Sequence, residues 1–250
     1  MTHILVATDL SPRADRAVAR AFRLAAEHGA KLTVLNVIDG DLPGRLTAPL
    51  IEEARQLLHD FCEIQPGADT VDWTALAQTG DVTEDIHTLA ESQAAELIVL
   101  GLHRRRALLD SFRETTLERL IRTAHRPVLL VTAPADHDYE RAVAAIDASP
   151  AASAALRAAR RWMPAAQISA FFAVHTGFGE GLVHDPEGIM GESQLREARR
   201  ALREWAEAGG LPDGVPAPHV VDGPLGPMFQ SELTTHSAQL AILGAHARHG

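Results

Sequence analysis

The chain has 250 residues, and its 23 basic and 33 acidic side chains give a formal net charge of −10. This balance disfavours a nucleic-acid partner, because binding to a phosphate backbone requires a concentrated positive surface. A single cysteine, Cys62, excludes an intrachain disulfide framework, and no apolar run approaches the roughly 20 residues of a membrane span. We therefore expect a cytoplasmic protein with no membrane or nucleic-acid partner.

The first half of the chain alternates short apolar runs with helical patterns. Ser11-Pro12 predicts a helix start, since proline in a first turn gives up no hydrogen bond, and Gly29 predicts the end of that helix. The predicted elements, in chain order, are strand Ile4–Thr8, the helix up to Gly29, strand Lys31–Ile38, helix Leu50–Ile64, strand Asp72–Gln78, helix Asp81–Gln93, strand Leu97–Gly101, helix Thr115–Ala124 and strand Pro127–Thr132.

The second half repeats this order after a linker at Asp136–Tyr139. Strands that alternate with helices and read as near-continuous apolar runs predict a parallel sheet covered on both faces. The predicted elements are strand Arg141–Ile146, a helix from Pro150, strand Gln167–Val174, helix Glu192–Ala208, strand His219–Val221, a helix near Phe229–Ser237 and strand Leu240–Gly244.

The two halves are copies of one unit. The stretch ILVATDLSPRADRAVARAFRLA returns as AVAAIDASPAASAALRAARRWM, which places Asp9 on Asp147. Near the other end of each copy, AAELIVLGLHRRR returns as SAQLAILGAHARHG, which places Gly101 on Gly244. The copies predict two domains, at residues 1–135 and 140–250. After Gly244 the last helix and strand of the unit have no counterpart, so we expect the second domain to be incomplete, because the chain is truncated, clipped or missing a disordered tail.

Ligands of parallel α/β sheets bind beyond the carboxyl ends of the strands, where the strand order reverses. Asp9 follows the first predicted strand, and Gly101 ends the fourth. The segment Thr115-Thr116-Leu117-Glu118 has the capping-box pattern of a helix start, and a helix start is also an anion site. Both roles of Thr115 stay open at this point.

Taken together, ILVATDLSP, LTVLNVID, TGDVTEDI, ELIVLGLHRRRALL and TTLERLIRTAHRPVLLV, with their partial echoes, resemble the universal stress proteins of the tandem type. The resemblance covers essentially the whole chain. It implies an α/β fold of two domains, each a five-stranded parallel sheet of order 3-2-1-4-5 between helices, the second lacking its last helix and strand. Many family members bind ATP through G-x2-G-x9-G-[ST], and others bind no nucleotide.

Carrying this pattern over residue by residue gives an incomplete match. Gly101 fills the first glycine position, whereas Arg104 and Glu114 occupy the second and third. In the second copy, Ala247 replaces the second glycine. The candidate nucleotide-binding residues that the resemblance implies are Asp9, Val37, Gly101, His103, Arg104, Arg105, Thr115 and Thr116 in the first copy, and Asp147, Val174 and Gly244 in the second.

The acidic residue in the phosphate-binding pattern argues against a nucleotide in the first copy. A like-charge pair at about 4 Å costs on the order of 4 kcal/mol at an effective dielectric of 20. Glu114 also has a structural explanation, because acids are favoured near a helix start, and an Arg104–Glu114 pair would fill the place of a phosphate. We predict a non-enzymatic, regulatory stress-response protein with a degenerate first site; the alternative is an ATP-binding stress protein that hydrolyses ATP slowly.

Two further expectations concern partners and metals. The resemblance implies a homodimer through the fifth strand, whose apolar residues are Pro127, Val128, Leu129, Leu130 and Val131. Among 13 histidines, the pattern His246-x-x-His249 with His103 is a weak zinc signal, because it lacks cysteine or a nearby carboxylate. No metal is expected, and no cofactor is certain beyond an adenine nucleotide such as ATP.

Overall fold

The computed structural model describes residues 2–11, 14–40, 44–101, 116–175 and 189–244. It separates into two compact units, Met1–His137 and Asp138–Gly250. Each unit is a parallel sheet with helices against it, which confirms the predicted fold class. No helix in the described ranges is long and apolar enough to cross a membrane.

The sheet of the first unit has the order β3-β2-β1-β4-β5, and every neighbouring pair is parallel. This is the order that the family resemblance implies. The elements are β1 (His3–Ala7), α1 (Ala14–His28), β2 (Lys31–Asp39), α2 (Gly44–Glu63), β3 (Trp73–Gly80), α3 (Val82–Ser92), β4 (Leu97–Gly101), α4 (Thr116–Thr123) and β5 (Val128–Val131).

The sheet of the second unit has the order β8-β7-β6-β9, again with parallel pairs. Its strands take the places of the first four strands of the other unit. The elements are β6 (Arg141–Ala145), α5 (Pro150–Trp162), β7 (Gln167–Val174), α6 (Ile189–Glu207), β8 (His219–Asp222), α7 (Leu225–Thr235) and β9 (Leu240–Leu243).

Three helices begin earlier than the sequence predicts. Helix α6 begins at Ile189 instead of Glu192, and the other two contain a proline near the start. The helix predicted from Leu50 begins at Gly44 and runs through Pro49. Proline gives up a backbone hydrogen bond inside a helix, but burial of an apolar helix face outweighs local propensity. The helix predicted near Phe229 begins at Leu225, so Pro227 falls in the first turn, where its missing N–H costs nothing.

Each core lies on the strands, as expected for parallel sheets covered on both faces. In β1, the side chains of Ile4, Leu5 and Val6 are fully buried. One cluster of the first unit joins Leu5 to residues of α3, β4 and α4. In the second unit, Leu156 of α5 is the centre of a cluster that includes residues of β6, β7 and β9.

Arginines of α1 hold the segment that follows β5. Arg16 Nη1 donates to the carbonyl of Thr132 at 2.8 Å. Arg20, only 1% exposed, donates from Nη1 to the carbonyl of His137 at 2.7 Å and from Nη2 to that of Pro134 at 3.2 Å. Charge-assisted bonds of this kind are stronger than neutral ones, so the segment belongs structurally to the first unit.

Candidate functional site

The carboxyl ends of β2, β1 and β4 meet at one edge of the first sheet. Ala7, the last residue of β1, pairs with Leu35 on one side and with Leu100 on the other. Asp9 therefore lies just beyond the sheet, at the same edge as Gly101, which ends β4. The topology brings together these two candidate residues, which are far apart in the sequence.

A left-handed residue turns the chain at this edge. Leu10 has a φ of 58°, a region that non-glycine residues seldom occupy. Asp9 Oδ1 accepts from the Ser11 N–H at 3.1 Å, and the Leu10 N–H donates to Thr8 Oγ1 at 3.0 Å. Ser11 Oγ in turn accepts from the Ala14 N–H at 3.4 Å at the start of α1. Backbone strain of this kind is retained where the surroundings hold it, often at functional sites.

The second unit repeats the turn with the same aspartate and serine, and with alanine in place of leucine as the left-handed residue. Ala148 has a φ of 58°, and Asp147 Oδ1 accepts from the Ser149 N–H at 3.1 Å. Ser149 caps α5 by accepting from the Ala152 N–H at 3.1 Å. This geometry identifies Ser149 as a helix cap.

Val37 contributes its backbone to the first edge. Its side chain is half-buried and packs against the core cluster. The carbonyl of Leu35 accepts from the Thr8 N–H at 2.9 Å and so faces β1. Because carbonyls alternate along a strand, the carbonyl of Val37 is directed to the same side, beyond the end of β1.

Asn36 was not among the predicted site residues, yet it fixes this edge. It is 6% exposed, and its Nδ2 donates to the carbonyl of Thr8 at 2.9 Å. A buried amide needs such a partner, and the bond holds the end of β1 against β2. The signal in the sequence is one polar amide within the apolar strand KLTVLNVID.

The first edge carries a second carboxylate, Asp15, in the first turn of α1. Burial raises the pKa of Asp15 above its ordinary value, and the nearby charge of Asp9 raises the pKa further. The repeat places Ser153 at the equivalent position of the second unit, where its Oγ accepts from Trp205 Nε1 at 3.0 Å. The first edge is therefore the less favourable of the two for an anionic ligand.

Several predicted phosphate-side residues lie outside the described ranges. Thr116 is the first residue of α4, and Gly101 pairs with Val131 of β5. The remaining roles stay predictions from the sequence. The residues outside the described ranges are His103, Arg104, Arg105, Glu114 and Thr115, together with His246 and His249 of the zinc pattern.

In the second unit, strand pairing changes which residue corresponds to Val37. Leu35 and Phe171 both pair with the last residue of the unit's first strand. Two residues further on, the counterpart of Val37 is therefore Ala173, and not Val174 as the sequence alignment suggests. The carbonyl of Val174 accepts from the Gly223 N–H at 2.8 Å. A backbone contact equivalent to that of Val37 would come from Ala173.

Gly244 has a packing role that is independent of any ligand. It directly follows β9 and lies against the first turn of α5. A Cβ atom at this position would lie 2.5 Å from the backbone nitrogen of Ala152 and 2.8 Å from the carbonyl carbon of Ala151. Such distances exclude a side chain, so glycine is required for the close approach of strand and helix.

One group in the described ranges has ligand atoms that all lie within 4.8 Å of one another, His59, Asp60 and Glu63 of α2. His59 Nδ1 lies 3.6 Å from Glu63 Oε1, with both side chains largely exposed. Asp60 also accepts from Gln56 Nε2 at 2.7 Å. The arrangement is that of a solvated helix surface, where flexible side chains hold an ion weakly.

Comparison with known proteins decides the family. The model of the universal stress protein family matches residues 1–132. The chain belongs to the universal stress protein family. A universal stress protein of Mycobacterium tuberculosis is 28% identical over 268 aligned residues, covering 99% of this chain and 88% of the relative. Universal stress protein A homolog 1 of Coxiella burnetii is 34% identical over 112 residues, covering 40% of this chain and 76% of the relative.

Solved structures show the same fold over nearly the whole chain. A universal stress protein of Archaeoglobus fulgidus has a TM-score of 0.67 at 15% identity, covering 96% of this chain and 85% of that one. A putative universal stress protein of Pseudomonas aeruginosa has a TM-score of 0.63 at 17% identity, covering 100% of this chain and 84% of that one. At these identities the likeness extends to the fold alone.

The packing of Gly244 leads to a first prediction. Gly244→Ala should lower the free energy of unfolding of the second unit by about 1–3 kcal/mol, because the new methyl group overlaps backbone atoms that cannot rotate away. Gly226→Ala is the matched control, since Gly226 has open space in the first turn of α7 and alanine is the better helix former. Urea unfolding measures both. Equal stability of the two variants would contradict the packing role.

The raised pKa of Asp15 leads to a second prediction. A carboxyl group whose pKa is raised on folding contributes stability below its unfolded pKa, and this contribution is lost as the pH rises through the folded pKa. Stability of the native chain should therefore fall relative to Asp15→Asn between about pH 3.5 and pH 6.5. Urea unfolding at both pH values measures the difference. Asp9→Asn should reduce this pH-dependent difference, because the charge of Asp9 is the second cause of the raised pKa. A stability difference that does not change with pH would refute the raised pKa of Asp15.

Proposed function

We propose that this chain is a non-enzymatic, regulatory stress-response protein with an adenine-nucleotide type of site at the carboxyl edge of each sheet. The observation that carries the proposal is the repeated turn after the first strand, with Leu10 and Ala148 left-handed and an aspartate side chain bracing each turn. Parallel sheets bind ligands at this edge. The family resemblance supplies the adenine nucleotide as the class of ligand.

We further propose that the first site is degenerate. Arg104 and Glu114 occupy glycine positions of the phosphate pattern, and Asp15 adds a carboxylate near Asp9. Both acidic residues oppose a triphosphate. In the second unit the position of Asp15 is taken by Ser153, a neutral residue with hydrogen bonds of its own.

Slow ATP hydrolysis is the alternative function. The candidate base that the sequence offers for this reaction is Asp9, whose carboxylate already accepts the Ser11 N–H at 3.1 Å. A group that braces its own turn is poorly placed to accept a proton from water. Regulation by binding is therefore the better-supported proposal, and a cytoplasmic location stays a prediction from the sequence.

The degenerate first site leads to a third prediction. The first unit should bind ATP weakly or not at all, and Arg104→Gly combined with Glu114→Gly should strengthen binding about tenfold or more, because a repelling carboxylate is removed and the loop can approach phosphate. Calorimetric titration with ATP measures the affinity, and mass spectrometry of the denatured protein detects any nucleotide that co-purifies.

A matched pair of variants assigns any binding to one unit. Asp9→Asn and Asp147→Asn remove the same carboxylate from the two equivalent turns. We expect Asp147→Asn to weaken whatever ATP binding the native chain shows, and Asp9→Asn to leave it unchanged. Micromolar binding that Asp9→Asn abolishes would contradict the degenerate first site.

We also propose that two copies of the chain pair through β5. In the described ranges β5 borders β4 on one side and is otherwise an edge strand. The carbonyl of Pro127 accepts from the Ile98 N–H at 3.0 Å and so faces β4. Because backbone groups alternate along a strand, the N–H groups of Val128 and Leu130 face the open edge, where an antiparallel partner strand would bind.

The proposed pairing of two copies through β5 leads to a fourth prediction. Leu130→Pro should convert the dimer to a monomer, since proline removes an outward N–H without breaking a bond to β4. Leu130→Ala is the control and should leave the dimer intact, because it keeps the N–H. Leu129 is unsuitable for this test, as its side chain is 6% exposed and belongs to the core. Light scattering measures the mass, and a native monomer would refute the proposal.

A further inference from the structure

The second unit contains a polar cluster at positions that are apolar or amidic in the first. Helices α3 and α7 end alike: the Gln93 N–H donates to the carbonyl of Leu89 at 3.0 Å, and the His236 N–H donates to that of Glu232 at 3.0 Å. Glu232 is therefore the counterpart of Leu89, and His236 is the counterpart of Gln93.

A third position of the cluster lies on the neighbouring strand. Leu76 of β3 pairs with Leu35, and His219 of β8 pairs with Phe171, which is the counterpart of Leu35. His219 thus occupies the place of Leu76. Leu76 packs on the first unit's apolar cluster, so the fold itself requires no charge at this place.

The carboxylate of the cluster has an unmet acceptor atom. Glu232 Oε2 lies 3.1 Å from His219 Nε2 and 3.4 Å from His236 Nε2. The Glu232 side chain is only 14% exposed, and Oε2 is buried and accepts no hydrogen bond from the described residues. A buried carboxylate oxygen without a hydrogen bond is costly, and a cation held between the two rings would offset that cost.

A catalytic relay does not explain the cluster. Ser169 Oγ lies 3.1 Å from His236 Nε2, and Glu232 approaches the same nitrogen. A serine–histidine–acid relay needs the hydroxyl and the carboxylate on opposite ring nitrogens. The geometry therefore excludes a hydrolase triad.

We propose that His219, Glu232 and His236 bind a divalent transition metal of the zinc class. Two imidazoles and one carboxylate are a common donor set for zinc, with a fourth position left to water. Bonds of about 2.0–2.2 Å in a tetrahedral site place neighbouring ligand atoms about 3.3 Å apart, which is close to the 3.1 and 3.4 Å found here. The ion supplies the positive partner that Glu232 lacks.

Binding requires one side chain to move. The rings flank Glu232 Oε2, and the three ligand atoms are not among the groups that lie within 4.8 Å of one another. The side chain of His219 is 47% exposed and that of His236 is 39% exposed. Rotation of the His219 ring toward His236 would close the site, and His236 Nε2 would exchange the Ser169 hydroxyl for the ion. The exposure of His219 gives the ion a path of entry.

The test is a titration of the chelator-treated full-length chain with Zn²⁺, with Co²⁺ absorption as a report of tetrahedral coordination. We expect one high-affinity ion per chain. Glu232→Leu and His236→Gln, which install the residues of the first unit, should weaken binding roughly a hundredfold or more, since the loss of an outer-shell partner alone costs about 10–100-fold. Circular dichroism checks that both variants fold.

Two control variants separate this site from the other histidine groups. His59→Gln removes the ligand of α2, and the double change His246→Gln with His249→Gln removes the zinc pattern of the sequence. Both should bind Zn²⁺ as the native chain does. Absence of Zn²⁺ binding, binding that survives Glu232→Leu, or binding that the control variants abolish would each overturn the proposal. If Glu232→Leu fails to fold, His219→Leu on the edge strand β8 provides the same test.

Discussion

The left-handed residue after the first strand is the constraint on which each carboxyl edge depends. It reverses the chain from strand into helix within a few residues, so that the strand end, the aspartate and the helix start come together. The two copies use Leu10 and Ala148 at this point, neither of which favours the conformation. The aspartate side chain and the serine cap must therefore hold the turn, and the same groups define the surface that a ligand meets.

Duplication has kept this backbone while the side chains around it diverged. At the carboxyl edge, the carboxylate of Asp15 stands where the second unit has the neutral Ser153. Between β8 and α7 it is the second unit that has the carboxylate, since Glu232 stands where the first unit has Leu89. Each unit thus shows which residues the fold tolerates at a position, and packing alone does not require the polar exceptions.

The sequence predicts the strands well because parallel strands read as continuous apolar runs; Leu97–Gly101 and Gln167–Val174 are found with the predicted bounds. It misplaces the starts of α2 and α7, since prolines are local signals that tertiary packing overrides. Asn36 and Glu232 were missed for another reason. Thr8 and His219, which contact them, lie on other segments, and no spacing rule along the chain relates an amide or a carboxylate to a group that only the sheet brings near. The one signal along the chain is the i, i+4 spacing of Glu232 and His236.

Hydrogen bonds from the arginines of α1 attach the segment after the last strand to the first unit. A fragment that ended at Val131 would retain all five strands, yet it would leave the buried Arg20 without the carbonyls of Pro134 and His137 that accept its hydrogen bonds. A buried charged donor that loses its acceptors lowers the stability of the fold. The first compact unit thus extends six residues beyond its last strand, since it ends at His137, and any excision of either half must respect that margin.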